Sequence, residues 1–473
     1  MTTIGAISAS GAAFELARTA VEELRARIRG RVLLAGDNGY DESRSIWNAM
    51  IDRRPAVIVQ CLGTADVVAS VQFARKHDLA LTIKGGGHNI AGLAVCDGGV
   101  MLDTSLMRAT WVDREKRSAH AQAGCLLGDI DRETQLHGLA AVLGFVSATG
   151  TAGLTLGGGF GYLTRRYGWT SDNVRSMTIV TADGRLLKAS EDEHADLFWG
   201  LRGGGGNFGV VTDIEYALYD IGPEIVGGAM AWRAERAPEV LETFRTLMDD
   251  APPEVTCVVS LRKAPPAPWI DKTAHGQSIV IVLVCHTGPI AEAERWVARL
   301  KALGTPVGDV VQRRPYASLQ SMLDATQPKG RRYYWKSEYL PGHDPALLEK
   351  ASAHAARVVS PHSAVVLFPL DGPLNGLPEA HSAVGNRGAR SVINITASWE
   401  APKDDAANID WARTAWRDIR PFSTGGTYVN FLTDDETDDR VRSAYGGNYG
   451  RLAELKRRWD PDNFFRRNKN VAP

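Results

Sequence analysis

Three glycine clusters and one histidine are the residues of this chain whose types and spacing point most directly to chemistry. Glycines gather at Gly85–Gly87, at Gly157–Gly161 (GGGFG) and at Gly203–Gly209 (GGGGNFG), and His88 follows the first cluster directly. Glycine reaches positive φ and lets backbone N–H groups approach a ligand, so such turns often cradle phosphates. Taken singly, each cluster reads equally well as a tight turn in a β-rich fold. Three in one half of the chain favour a nucleotide-sized ligand. No GxxxxGK followed by Ser or Thr occurs, which a Walker loop requires. Gly85-Gly86-Gly87-His88-Asn89-Ile90 follows a strand pattern but lacks the last glycine of a GxGxxG fingerprint, and Gly92 and Asp97-Gly98-Gly99 interrupt any helix after it. An ordinary NAD dehydrogenase is therefore disfavoured. His88 beside such a loop suits a hydrogen-bonding turn residue, a base, a ligand or a nucleophile toward the cofactor.

The elements that must position these residues fall into two lobes with a boundary near residue 220, in keeping with a chain of 473 residues. Strand patterns cover Ala56–Gln60 and Leu79–Lys84, with a helix from Thr64 to about Lys76 between them, and Met177–Thr181 with Arg185–Lys188 reads as a hairpin. From Phe14 onward the N-terminal stretch reads as an amphipathic helix with Leu16, Val21 and Leu24 on one side. After 221 come longer apolar strands, Ser278–Cys285 and Ser391–Trp399, and the tail from Tyr445 is helical. Lys and Arg total 54 against 55 Asp and Glu, which argues against a nucleic-acid partner. No apolar run approaches the ~20 residues of a membrane span. The N-terminus lacks the features of a secretory signal, so a cytoplasmic protein is the default expectation. Five scattered cysteines without a CxxC pair suggest neither a disulfide framework nor a zinc site. The acidic run Asp434, Asp435, Asp438 and Asp439 reads as a solvated face, and no metal is expected.

Ile83–Gly92 (IKGGGHNIAG) resembles the histidine loop of berberine bridge enzyme-like flavoproteins, members of the vanillyl-alcohol oxidase superfamily. Further signatures follow in the same order: Gly98–Asp103 (GGVMLD), Thr149–Gly161 (TGTAGLTLGGGFG), Arg166-Tyr167-Gly168, Ser171-Asp172-Asn173, Leu197–Thr212 (LFWGLRGGGGNFGVVT), Tyr428–Phe431 (YVNF) and Asp460–Phe465 (DPDNFF). The resemblance runs from about residue 37 to the end and is weakest between 221 and 330. It implies an α+β fold with a PCMH/VAO-type FAD-binding domain of two α+β subdomains, residues 1–220 with a return at 421–473. A substrate domain, 221–420, would place an antiparallel sheet covered by helices over the flavin. The implied cofactor is FAD, joined through an imidazole nitrogen of His88 to its 8α-methyl carbon.

By position in the motifs, the resemblance assigns the rest of the cofactor site to Lys84, Gly85, Gly86, Gly87, Asn89, Gly92, Gly150, Thr151, Gly153, Leu154, Gly157, Gly158, Gly161, Asn207, Gly209, Val210, Val211, Asn430 and Asn468. Doubly linked relatives carry a cysteine shortly before the TLGGGFG-like segment. Val146 stands at that place and Leu154 where those relatives often have a histidine, so a single link is implied, as in the bacterial branch resembling 6-hydroxy-D-nicotine oxidase. Tyr428 aligns with a tyrosine used near flavin N5. Lys336 reads as a cation that lowers the Tyr428 pKa, as a substrate contact, or as a solvated strand lysine. Asn394 stands where the berberine bridge enzyme has its catalytic glutamate; an amide abstracts no proton, which leaves it to orient a hydroxyl or amine.

The implied reaction removes a hydride from a C–OH or C–N carbon of a small molecule or secondary metabolite, with molecular oxygen reduced to hydrogen peroxide. An amine oxidase of the 6-hydroxynicotine type and a flavin dehydrogenase with another acceptor are the alternatives. A pyridine-nucleotide dehydrogenase and a non-catalytic flavin-binding protein are the other classes, and Tyr428 in a complete YVN segment argues against the last. The oligomeric state is left open.

Overall fold

Apolar runs bounded by glycine and proline become strands in the computed structural model, which describes residues 2–473, and they gather into three principal sheets of an α+β fold. A four-stranded sheet orders Arg31–Leu33, Val57–Gln60, Val100–Asp103 and Leu81–Lys84, the last three parallel. The parallel pairs are joined by the helix Thr64–Lys76, whose Val67, Val71 and Phe73 are buried against the sheet. A five-stranded antiparallel sheet follows, built on Val174–Val180 and Val210–Ala217 at its centre. The N-terminal expectation needs correction. Ala13–Ala17 is a strand paired with Thr3–Ile7, and the helix spans only Arg18–Arg27. Leu16 is buried as expected, but from a strand, because the chain folds back on its own first residues at the Ser10-Gly11 turn.

The third sheet has eight antiparallel strands, all between residues 224 and 399. Its central order is Ser278–His286, Val255–Lys263, Ala364–Pro369, Ser391–Trp399 and Arg332–Leu340. Side chains alternate between faces, so register fixes what each residue meets. One transverse row joins Leu261, Val365, Ile395 and Lys336, and three of these belong to the core beneath the helices Ala237–Asp250, Pro345–Ala356 and Asp405–Ile419. The adjacent row, Arg262, Ala364, Thr396 and Trp335, faces the opposite way, toward the first lobe. The covering helices are amphipathic: Ala237–Asp250 buries Val240, Leu241, Phe244, Leu247 and Met248 at helical spacing. No helix among the described residues is long and apolar enough to cross a membrane.

Candidate active site

The histidine loop leaves the strand Leu81–Lys84 and packs directly on the start of the helix Thr151–Leu156. A Cβ on Gly86 would lie 2.5 Å from Gly150 N, and one on Gly150 would lie 2.4 Å from Gly86 N. Only two glycines permit that approach. Gly150→Ala is therefore expected to push the two segments apart, at a cost of about 1–3 kcal/mol. A thermal melt and the flavin content of the purified variant check this, and both should fall.

Beyond the glycines, His88 lies against Trp47, with ring centroids 4.3 Å apart and planes at 16°. Trp47 also stacks on Tyr333 of the second lobe at 3.6 Å. Asn48 ties the same place together, its Nδ2 donating to the carbonyls of Ile90 at 2.9 Å and Tyr333 at 3.0 Å. Burial pushes the His88 pKa down to about 4, so the imidazole is neutral at pH 7, and its buried Nε2 has no partner among the described residues. A neutral ring held flat against an indole presents a nitrogen lone pair, which is what a nucleophile toward a cofactor needs.

Tyr428 approaches the same space from the C-terminal part of the chain. Its hydroxyl accepts hydrogen bonds from Gly159 N at 3.0 Å and Asn430 Nδ2 at 2.9 Å. Both acceptor positions of the phenol oxygen are thereby filled and its proton is left free to point elsewhere. Burial pushes its pKa up to about 12, with the two donors pulling the other way. Phe160 and Phe431 meet the ring edge-on, each with centroids 4.9 Å away.

Both residues line one cavity of about 370 Å³ between the lobes. Five buried polar atoms on its wall have no partner: His88 Nε2, Gln327 Oε1, Trp335 Nε1, Asn394 Oδ1 and Asn468 Oδ1. Buried polar groups are ordinarily paired, so this concentration marks a ligand site. The cavity also takes in Gly85, Gly86, Gly87, Asn89, Gly150, Gly153, Leu154, Gly209, Val210, Val211, Asn430 and Asn468. Glycine backbones on one side, an unpartnered imidazole and aromatic walls fit an extended dinucleotide such as FAD.

Other residues expected at the cofactor lie behind this wall. Lys84 Nζ binds Asp103 at 3.2 Å and the Ser43 carbonyl at 2.6 Å, holding the base of the histidine loop. Thr151 shares a hydrogen bond with Tyr216 at 2.8 Å. Asn207 bridges the third glycine cluster to the tail, donating to Gly204 O and accepting from Val471 N. Gly92 packs on Ile51, Gly157 on Asn430, Gly158 on Val384 and Gly161 on the Leu143 carbonyl. These residues support the cavity and do not line it.

The position of Lys336 follows from the strand register. It faces away from the cavity and binds Glu436 at 2.6 Å and Asp435 at 3.3 Å. It is neither a solvated strand lysine nor beside Tyr428. The acidic run is exposed as expected, and within it Asp435 also accepts from Tyr334, Arg413 and Thr433, which pulls its carboxyl pKa down. Asn394 sits on the cavity side, as Trp335 does. Val146 and Leu154 line the cavity, whereas Cys125 does not, and burial holds the Cys125 thiol up at about 11. Sequence reading missed Arg262 and Thr396 on the sheet, His362 in the turn before Ala364–Pro369, and Arg467 and Lys469 in the tail. Only the alternation of side chains along paired strands carries a signal for Arg262 and Thr396.

Residues 55–190 match the FAD binding domain family, and residues 427–472 match the family described as berberine and berberine-like. The (R)-6-hydroxynicotine oxidase of Paenarthrobacter nicotinovorans is 32% identical over 465 residues, covering 94% of this chain and 97% of that protein. A FAD-linked oxidoreductase of Dictyostelium discoideum is 29% identical over 461 residues, covering 96% and 97%. The crystal structure of 6-hydroxy-D-nicotine oxidase from Arthrobacter nicotinovorans superposes with a TM-score of 0.83 at 29% identity, covering 94% of this chain and 98% of that one. Glycine cradle, imidazole, buried phenol and full-length similarity converge on one conclusion: the chain belongs to the berberine bridge enzyme-like family of FAD-linked oxidoreductases.

Proposed function

We propose that the protein is an oxidase that takes a hydride from a C–OH or C–N carbon of a small molecule, with FAD held by a single covalent link to His88. The observation that carries this reading is the pairing, across one cavity, of an unpartnered His88 Nε2 with a Tyr428 phenol whose proton is unclaimed. When bound, FAD supplies the hydride acceptor and delivers the two electrons to oxygen, giving hydrogen peroxide. The protein does the rest by position and electrostatics. The Tyr428 proton is available to a substrate oxygen or nitrogen, orienting the carbon to be oxidised. The N–H groups of Gly159 and Asn430 fix the phenol oxygen so that its proton stays aimed at the substrate heteroatom while the adjoining carbon gives up its hydride, and the heteroatom's own proton leaves to solvent. Asn394 Oδ1, free on the cavity wall, accepts from a substrate hydroxyl or amine and does not abstract a proton. Aromatic side chains of Phe160, Phe431 and Trp335 exclude water around that carbon. Val146 offers no nucleophile for a second link.

Photoreducing the flavin-loaded protein without oxygen and then admitting air tests the oxidase reading. Reoxidation within seconds is expected; a flavin that stays reduced for minutes makes the protein a dehydrogenase with another acceptor.

A further inference from the structure

Arg262 is a cation without a counter-charge on the wall of the cavity. It lies on the strand Val255–Lys263, two residues from Ser260, and both line the cavity. The hydrogen bond it makes runs from Nε to the adjacent Lys263 carbonyl at 3.3 Å. Among the described residues it forms no salt bridge. The charge that bears on it is another cation, Arg331, and burial with that neighbour pulls its pKa down to about 10, still charged at neutral pH. The nearby His362 has its own carboxylate, Glu400, at 3.3 Å. Guanidinium groups in enclosed places are ordinarily paired, because an uncompensated charge there is costly. A forked donor facing an empty volume matches a planar anion.

The sheet says where that anion would sit. Val258 lies four residues before Arg262 on the same face, about 13 Å away along the strand. At the Val258 end, the neighbouring strand carries Phe368, which meets Phe160 at 5.5 Å, and Phe160 in turn meets Tyr428. Arg262 thus stands at the opposite end of the sheet wall from the phenol, with Val258, Leu283 and Val366 supplying apolar lining.

We infer that the substrate is an organic anion, with an apolar body along this sheet wall and a carboxylate or similar planar oxyanion held by Arg262. The inference rests on the reading of this cavity as the substrate site and narrows it to a class.

Two probes of one shape separate charge from fit: naphthalene-2-carboxylate and naphthalene-2-carboxamide, titrated calorimetrically into the flavin-loaded wild type, Arg262→Gln and Arg262→Lys. The wild type is expected to bind the carboxylate at least about tenfold more tightly than the carboxamide, the worth of a charge-assisted hydrogen-bond pair. Arg262→Gln should bind the two equally, and Arg262→Lys should keep part of the preference with an unchanged melting temperature. No binding of the carboxylate by the wild type, equal affinities there, or a preference that survives Arg262→Gln overturns the inference. So does loss of FAD in Arg262→Gln, which would assign the arginine to the cofactor. Reoxidation in air involves neither probe nor Arg262, so failure of the oxidase reading and failure of the anion site are separately visible.

Discussion

Replacing His88 by alanine is expected to leave a folded protein whose flavin comes away entirely on acid precipitation. In the wild type about one flavin per chain should stay with the precipitated polypeptide and fluoresce in a denaturing gel. The expectation follows from a neutral imidazole, pinned against Trp47 and tied through it to Tyr333, whose Nε2 has no partner. The glycine contacts between Gly86 and Gly150 do not involve the imidazole, so the variant should still bind FAD reversibly. Peptide mass spectrometry places the link: one adduct on the peptide carrying His88 is expected, and a second adduct on Cys125 or elsewhere would sink the single-link reading. Flavin retained by the precipitated His88→Ala protein would remove His88 from the role altogether.

Tyr428→Phe should have the larger effect on turnover. Removing a hydroxyl that steers a proton in the transition state typically costs on the order of 10²–10⁴ in rate. Stopped-flow reduction of the flavin under anaerobic conditions isolates that step, and covalent flavin should be unchanged in the variant. The pH dependence gives an independent reading. With its pKa near 12, Tyr428 is protonated across the neutral range, so it contributes no step to the rate profile of the wild type below about pH 10. A wild-type step near neutrality that vanished in Tyr428→Phe would show that a bound cofactor or substrate lowers this pKa far more than Asn430 and Gly159 do. Asn430→Ala removes one of the two donors and should slow reduction less than Tyr428→Phe.

What stands in the sequence here is local: strings whose chemistry depends on adjacent residues. The strand-then-glycine run ending in His88 could be read because backbone proximity to a ligand needs glycine and nothing else supplies it. The absence of a helix after Gly87 was legible from Gly92 and Asp97-Gly98-Gly99, which interrupt any helical run. The helix Thr64–Lys76 and the strand Ser391–Trp399 were visible from their apolar patterning alone.

Long-range pairing decided the rest. Lys336 and Asn394 look equally available along the chain, yet Lys336 pairs in register with Ile395, and adjacent strand residues point to opposite faces. One step of register therefore gave Asn394 the cavity and gave Lys336 to Glu436. Leu16 looked helical until Thr3–Ile7 folded back to pair with its strand. Arg262 stood out to no motif, since a lone arginine in a strand carries no pattern. What singles it out is a charge balance among residues 262, 331, 362 and 400, which only the folded sheet brings together. The sequence by itself pointed to FAD and to the glycine loop that carries His88, because those signals lie in contiguous backbone. The tertiary structure decided what the substrate meets, because that wall is assembled from alternate residues of strands far apart in the chain.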